Sequence, residues 1–225
     1  MIRVTLDHIE DTASHIKTFW FKPETPVRYE AGQFIELSIP HENPDDRGIK
    51  RWFTLSSSPT DDLLSITTKL ADKPSTLKQH LFGLKSGDLV QMTESMGDFV
   101  LPKDKSTPLI FVAGGIGVTP IHSMVKFLAD SKQARTTHLL YAARDTSEVA
   151  FKDLFDSTIT TAEYIIGTQL TSPDIQRTAA QYQNPLIYLS GPEEMVEVFV
   201  AELKENGVPG SRLVTDYFPG YAGII

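Results

Sequence analysis

The sequence predicts a two-part chain: an antiparallel β-barrel of Greek-key type over residues 1–102, followed by an α/β domain with a parallel sheet over residues 103–225. Three observations carry this. The first part is filled with short alternating apolar segments separated by Gly, Pro and acidic turns, as in small barrels. From Leu109 onward apolar strand-like runs alternate with helix-like ones, which is the pattern of a parallel sheet. Residues 109–130, LIFVAGGIGVTPIHSMVKFLAD, join the two kinds of pattern through a glycine-rich turn.

In the first part, Ile2-Arg3-Val4-Thr5-Leu6 alternates, as do residues 16–21 and 34–39. Ala31-Gly32 marks a turn, and residues 40–48 form a polar, acidic loop that reads as a solvated turn without calcium-loop spacing. Further strands are expected within residues 51–59, 63–69 and 89–92, the last after a Gly87-Asp88 turn. Leu77, Leu81 and Leu84 stand at helical spacing behind a Ser or Thr cap, which predicts one helix over residues 75–84. Residues 102–108, polar and bounded by prolines, read as a hinge.

In the second part, strands are expected at residues 109–113, 138–143, 162–166, 186–189 and 213–218. Helices are expected at residues 150–155, at 172–182 with Ser172-Pro173-Asp174 as its cap, and from Met195 to Leu203. The glycine turn contains Gly114, Gly115 and Gly117, with Thr119 as the expected helix cap and Pro120 as the first helical residue. A strand, a glycine turn and a helix N-terminus make an anion site, because free backbone N–H groups and the helix dipole both favour negative charge. The same glycines equally make a plain tight turn. Pro120 also replaces the third glycine of the dinucleotide fingerprint.

Composition narrows the function classes. The chain has no cysteine, which excludes disulfides, a thiol nucleophile and cysteine-ligated zinc or iron–sulfur clusters. Its net charge of −8 argues against nucleic-acid binding. No apolar run reaches the length of a membrane span and MIRVTLDHIED lacks a secretory pattern, so the expected compartment is the cytoplasm. The six histidines show no metal-ligand spacing and read as surface or incidental residues.

Four blocks in order give the chain a resemblance. Ala31-Gly32-Gln33-Phe34, Arg51-Trp52-Phe53-Thr54, Gly114-Gly115-Ile116-Gly117-Val118-Thr119-Pro120 and Ser190-Gly191-Pro192 with Met195 together resemble the ferredoxin–NADP reductase family of flavoproteins. Asp216 and Phe218 match that family's acidic residue two before an aromatic one. The resemblance implies an FAD-binding barrel, a nucleotide domain taking NADH or NADPH, and hydride transfer in the cleft between them.

It also implies residue roles. Arg51, with a guanidinium fork suited to phosphate, would pair with the FAD diphosphate. Trp52 belongs to the same block, Phe53 would face the isoalloxazine, and Thr54 would offer a hydroxyl to the reactive ring nitrogen. Thr67, Thr68 and Lys69 would follow the flavin and ribityl chain, and Ser75 and Thr76 would make the second phosphate contact. Lys73-Pro74 departs there from the family's usual glycines. Gly114, Gly115, Gly117, Thr119 and Pro120 would carry the nucleotide diphosphate and nicotinamide, and Arg144 would reach the adenosine ribose or a 2′-phosphate. Asp145 beside it opposes a phosphate, leaving NADH against NADPH open. Ser190, with Gly191, Pro192 and Met195, would stand at the nicotinamide where many members carry cysteine.

The resemblance leaves two acceptor classes: a one-electron carrier such as ferredoxin or flavodoxin, or a small molecule such as free flavin, quinone or a ferric chelate. At this length no fused haem or ferredoxin domain is expected. A non-catalytic flavin- or nucleotide-binding subunit or sensor stands beside both. At the C-terminus, Phe218 would cover the flavin face, and Pro219-Gly220 would fold Tyr221 back onto it or leave the tail as a remnant beyond the last strand.

Overall fold

The computed structural model describes residues 1–218. Residues 219–225 and the Phe218 side chain, and with them the expected covering roles of Phe218 and Tyr221, lie outside the described residues.

Six strands build the first domain: β1 (Ile2–Ala13), β2 (Ile16–Pro23), β3 (Phe34–Ser38), β4 (Lys50–Thr54), β5 (Leu64–Lys69) and β6 (Leu89–Met92). They pair antiparallel in the order β4-β3-β6-β1-β2-β5. The two edges meet through a Leu55–Ile66 bridge and the Ser56 N–H bond to the Ser65 carbonyl at 2.8 Å, so the sheet closes on itself. Closure leaves one interior, where Val4, Leu6, Phe19, Ile35, Leu37, Leu55 and Ile66 pack. Helix α1 (Thr76–Gly83) adds Leu77 and Leu81 to that interior, and the Ser75 hydroxyl caps it by accepting from Lys78 N–H at 3.2 Å.

The second domain is a five-stranded parallel sheet in the order β11-β10-β7-β8-β9, from β7 (Leu109–Gly114), β8 (Thr137–Ala143), β9 (Thr161–Ile166), β10 (Leu186–Pro192) and β11 (Leu213–Phe218). Every residue of β7 is buried, as expected for a central strand with both faces covered. Its Phe111 and Ala113 join one core with α2 (Val118–Asp130) and α3 (Lys152–Thr158). Its Ile110 and Val112 join the opposite core with α4 (Ser172–Ala179) and α5 (Glu193–Glu205).

Three local expectations are corrected. Helix α2 follows a 3-10 turn at Gly115–Gly117 and starts at Val118, so Thr119 and Pro120 are its second and third residues. The Thr119 hydroxyl, rather than capping, donates back to the Ile116 carbonyl at 3.0 Å. Helix α3 starts at Lys152 because Phe151 is left-handed, φ 61°, a backbone state that no helix passes through. Helix α4 is capped by Thr171 instead of Ser172, with the Asp174 carboxylate accepting the Thr171 N–H at 3.0 Å, and it ends at Ala179.

The predicted hinge is also corrected. Arg135 donates to the carbonyls of Pro102 and Asp104 at 2.9 and 3.0 Å, and Asp104 accepts from Ser106 and Thr107. Residues 102–108 are therefore fastened to the second domain. The seam between the domains is closely bonded as well. Tyr188 donates to the Val100 carbonyl at 2.7 Å, Ser123 to the Ser57 carbonyl at 2.5 Å, and Lys69 pairs with Glu148 at 2.6 Å. Ile16, Ala31 and Phe99 from the first domain pack into the α2-side core, so apolar burial is continuous across the seam.

Candidate functional site

On the barrel side, β4 carries the Arg51-Trp52-Phe53-Thr54 block. Strand alternation sends neighbouring side chains to opposite faces. Trp52 is 63% exposed, with its ring 6.0 Å from Phe34, whereas Phe53 is buried in the barrel core. Thr54 ends the strand and is buried. Arg51 Nη1 donates to the backbone carbonyls of Lys50, at 2.5 Å, and Arg47. Arg51 Nη2 is buried with no hydrogen-bond partner among the described residues and lies 3.6 Å from an Asp45 carboxylate oxygen. Burial pulls the guanidinium down from its ordinary pKa, against the opposing pull of Asp45.

The acidic loop is exposed at Glu42, Asn43, Pro44 and Asp46, as a solvated turn should be, but Asp45 is held against the start of α1. The Asp45 carboxylate accepts the Thr76 N–H at 3.0 Å and the Arg47 guanidinium at 3.0 Å. Asp45 N–H in turn donates to the Thr76 hydroxyl at 3.0 Å, which also bonds His41 Nε2 at 3.0 Å. The backbone bond from Thr76 is the largest cause of a lowered Asp45 pKa. Thr76 is thus engaged at both its N–H and its hydroxyl, and Ser75 Oγ by its own helix.

On β5, Thr67 and Thr68 are buried. The Thr67 hydroxyl lies 2.8 Å from both Thr18 and Ser56, and Ser56 lies 2.8 Å from Ser65, a hydroxyl chain along the barrel's closure. Lys69 is the cation of the seam's pair with Glu148.

The nucleotide-side residues gather where β7 and β10 run side by side. From these two strands the order proceeds outward in opposite directions, which makes their carboxyl ends the switch point where open α/β sheets take ligands. Gly114, Gly115 and Gly117 follow β7, while Ser190, Gly191 and Pro192 end β10. Gly117 has a packing reason to be glycine: a Cβ there would stand 2.4 Å from the Ser190 carbonyl oxygen and 2.6 Å from Gly191 Cα. Gly114 and Gly191 similarly leave room for Met195, which is buried against them. Gly115, at φ 53°, is the turn's left-handed residue. Thr119 and Pro120 are buried, and Arg144 is exposed just past β8.

Ser190 and Asp216 are in-register partners on β10 and β11. Ser190 is fully buried, and its hydroxyl has no hydrogen-bond partner among the described residues. Burial pushes the Asp216 carboxyl up to about 7. Phe218 is the last strand residue, in register with Pro192.

The histidine reading is corrected at two positions. His122 and His138 are both buried. His138 bonds Tyr182 at 3.0 Å and Glu163 at 2.6 Å. His122 Nδ1 lies 2.7 Å from the Ser56 carbonyl across the seam, and its ring stacks on Phe151 at 3.7 Å between centroids. Burial pulls the imidazole down to about 4, so it is neutral. Val118, Ile121, His122 and Val125 stand at helical spacing, so the apolar stripe of α2 already contained the signal. Asp45 had no comparable signal in the sequence.

A barrel joined to a switch-point sheet, with motif residues from both near one seam, defines a class: two-domain proteins of the ferredoxin–NADP reductase-like fold. The chain has that fold, and residues 111–168 match the family described as the oxidoreductase NAD-binding domain. Ferredoxin–NADP+ reductase from Plasmodium falciparum superposes with TM-score 0.78 at 16% identity, over 96% of this chain and 95% of that one. A cytochrome P450 reductase from Amycolatopsis gives TM-score 0.80 at 22% identity, over 96% and 69%. In sequence, flavohemoprotein A of Dictyostelium discoideum is 24% identical over 234 residues, covering 95% of this chain and 59% of the relative. The chain spans between 36% and 65% of the length of the curated relatives it matches. Among the described residues no helix is long and apolar enough to cross a membrane.

Proposed function

We propose that the protein is an FAD-dependent oxidoreductase of the cytoplasm that takes hydride from NADH or NADPH and passes electrons to a carrier such as ferredoxin or flavodoxin. The observation carrying this reading is the pair Ser190 and Asp216 at the switch point, a buried hydroxyl without a partner beside a carboxyl that burial keeps largely protonated below pH 7. Two proton-bearing groups on neighbouring strands near their carboxyl ends suit a polar ring carried in by a nucleotide.

The residues fit a flavin diphosphate on one further observation: Arg51 keeps one buried guanidinium nitrogen unpaired, a donor suited to an anion. Arg51, Ser75 and Thr76 would hold the diphosphate. Thr54, at the end of β4, would hold a proton at the reactive ring nitrogen, and Trp52, Thr67, Thr68 and Lys69 would border the flavin; Phe53, expected to face the isoalloxazine, is instead packed in the barrel core. Gly115, Gly117, Thr119 and Pro120 would bear on the dinucleotide, with Arg144 toward the adenosine. Gly114, Gly191, Pro192 and Met195 hold the two strand ends at the separation that places Ser190. When bound, FAD supplies acceptance of a hydride and its release as electrons. The chain's own contribution is alignment of two flat rings and exclusion of water, the principal protein contribution in cofactor enzymes.

The test is reconstitution with FAD, followed by NADH and NADPH oxidation with a dye acceptor. Flavin binding with turnover supports the reductase reading. Flavin binding without turnover of any acceptor supports a binding subunit or sensor. Turnover with free flavin, quinone or ferric chelate, but with no reduced carrier protein, moves the acceptor to small molecules.

A further inference from the structure

We propose that Asp45 is an internal anion occupying the site at which the flavin diphosphate would bind, and that it sets how tightly the chain holds FAD. The inference rests on the flavin reading above and concerns the affinity of that same site.

The groups assigned to the diphosphate are the Arg51 guanidinium and the start of α1. Both face Asp45 in this structure. Its Oδ2 takes both the Thr76 N–H and the Arg47 guanidinium at 3.0 Å, while its Oδ1 lies 3.6 Å from Arg51 Nη2. This is the chemistry a phosphate group would use: two guanidinium groups and a helix N-terminal N–H converging on oxygen anions. The Asp45 N–H donates to the Thr76 hydroxyl, and His41 extends the chain from Thr76 Oγ1 to the Ile39 carbonyl, which its Nδ1 reaches at 2.7 Å. The loop is thus fastened over α1 by at least three bonds that converge on Thr76.

The fit is incomplete in one respect, and that sets its direction. Arg51 Nη2 is 3.6 Å from Asp45, too long for a hydrogen bond, and it has no other partner. A carboxylate has two oxygens on one carbon, whereas a diphosphate presents more oxygens over a longer span. A diphosphate can therefore satisfy Thr76 N–H and Arg51 Nη2 together, as Asp45 does not. Two anions do not share the position, so diphosphate binding requires the Asp45 carboxylate to leave. The apparent affinity for FAD is then the intrinsic affinity multiplied by the fraction of molecules with Asp45 displaced. FAD is held as an exchangeable ligand, released when Asp45 returns.

The experiment uses the full chain freed of flavin, titrated calorimetrically with three probes: FAD, inorganic pyrophosphate and riboflavin, which has no phosphate. Asp45→Asn removes the charge with little change of shape. It is expected to bind FAD and pyrophosphate about tenfold more tightly than the native chain if Asp45 holds the site in about nine molecules of ten, with riboflavin unchanged. Unchanged or weaker pyrophosphate binding overturns the proposal, as does an equal tightening for riboflavin, which would mean a general effect on the barrel. If neither protein binds flavin while pyrophosphate still tightens, the flavin reading fails and the Asp45 competition stands. Asp45→Ser keeps a hydroxyl for Thr76 N–H and serves if the Asn variant does not fold, with the same outcomes deciding.

Discussion

Ser190 and Asp216 are direct neighbours across β10 and β11, and each is out of balance with its surroundings. One is a buried hydroxyl without a partner, the other a carboxyl that burial pushes up to about 7. Buried polar groups are normally satisfied, so an unpartnered hydroxyl beside a carboxyl with a raised pKa singles out this pair as a candidate ligand position.

Replacing Ser190 by Ala separates stability from function. An unpaired buried hydroxyl costs about 1–3 kcal/mol, and its removal leaves only a small void. Urea unfolding of Ser190→Ala is therefore expected at the native midpoint or higher, while nucleotide-driven flavin reduction slows in stopped flow. A large loss of stability would mean that the hydroxyl is bonded within the chain.

Asp216 makes the fold less stable as pH rises. Its folded pKa of about 7 lies above the ordinary carboxyl value of 3.8, so the folded state binds the proton more tightly. Its contribution is fully present below pH 4 and is lost between about pH 4 and pH 7. In Asp216→Asn this loss is absent. The native chain is expected to lose roughly 2–3 kcal/mol relative to the variant between pH 5 and pH 8, at about 1.4 kcal/mol per pKa unit. Equal denaturation midpoints for both proteins across that range would contradict the placement of Asp216 in a desolvated site.

His122 works in the opposite direction. Its folded pKa of about 4 lies below the ordinary 6.5, so its contribution is present above pH 6.5 and is lost as pH falls toward 4. The two slopes oppose each other between pH 4 and 6.5, which flattens the native profile. His122→Asn is expected to cost about 1–2 kcal/mol at pH 7 from the lost stack and bond. It should also expose the Asp216 slope in the acid range. An acid profile identical to that of the native chain would remove His122 as a titrating group.

Gly117→Ala tests the close approach at the switch point. The new Cβ meets backbone of Ser190 and Gly191 inside 3 Å, and backbone yields less readily than a side-chain tip. Overpacking of this kind costs about 1–3 kcal/mol, so the melting temperature should fall measurably. Gly207→Ala, a left-handed glycine with open space around it, serves as the control for backbone strain alone.

The order of elements was legible from the sequence, because strand alternation, buried apolar runs and helical stripes are local signals. Residues 109–113 read as a buried strand and β7 is one; the Ser75 cap and the last strand to Phe218 also stand where periodicity placed them. Helix starts were less legible. Thr119 and Pro120 carry good cap chemistry, yet the 3-10 turn at Gly115–Gly117 takes the start away from them, because Gly117 packs against Gly191.

By itself the sequence determined the two domains' strand and helix order and the positions of the motif blocks, since these depend on residue type and spacing along the chain. Tertiary structure decided the electrostatic state of the site. Asp45 became an anion lodged between Arg51 and Thr76 instead of a solvated turn residue, His122 a neutral seam residue, and Asp216 a carboxyl titrating near 7. The physical reason is that desolvation and pairing depend on which distant residues surround a charge. Thr76 lies 31 residues from Asp45, and Ser56 lies 66 from His122.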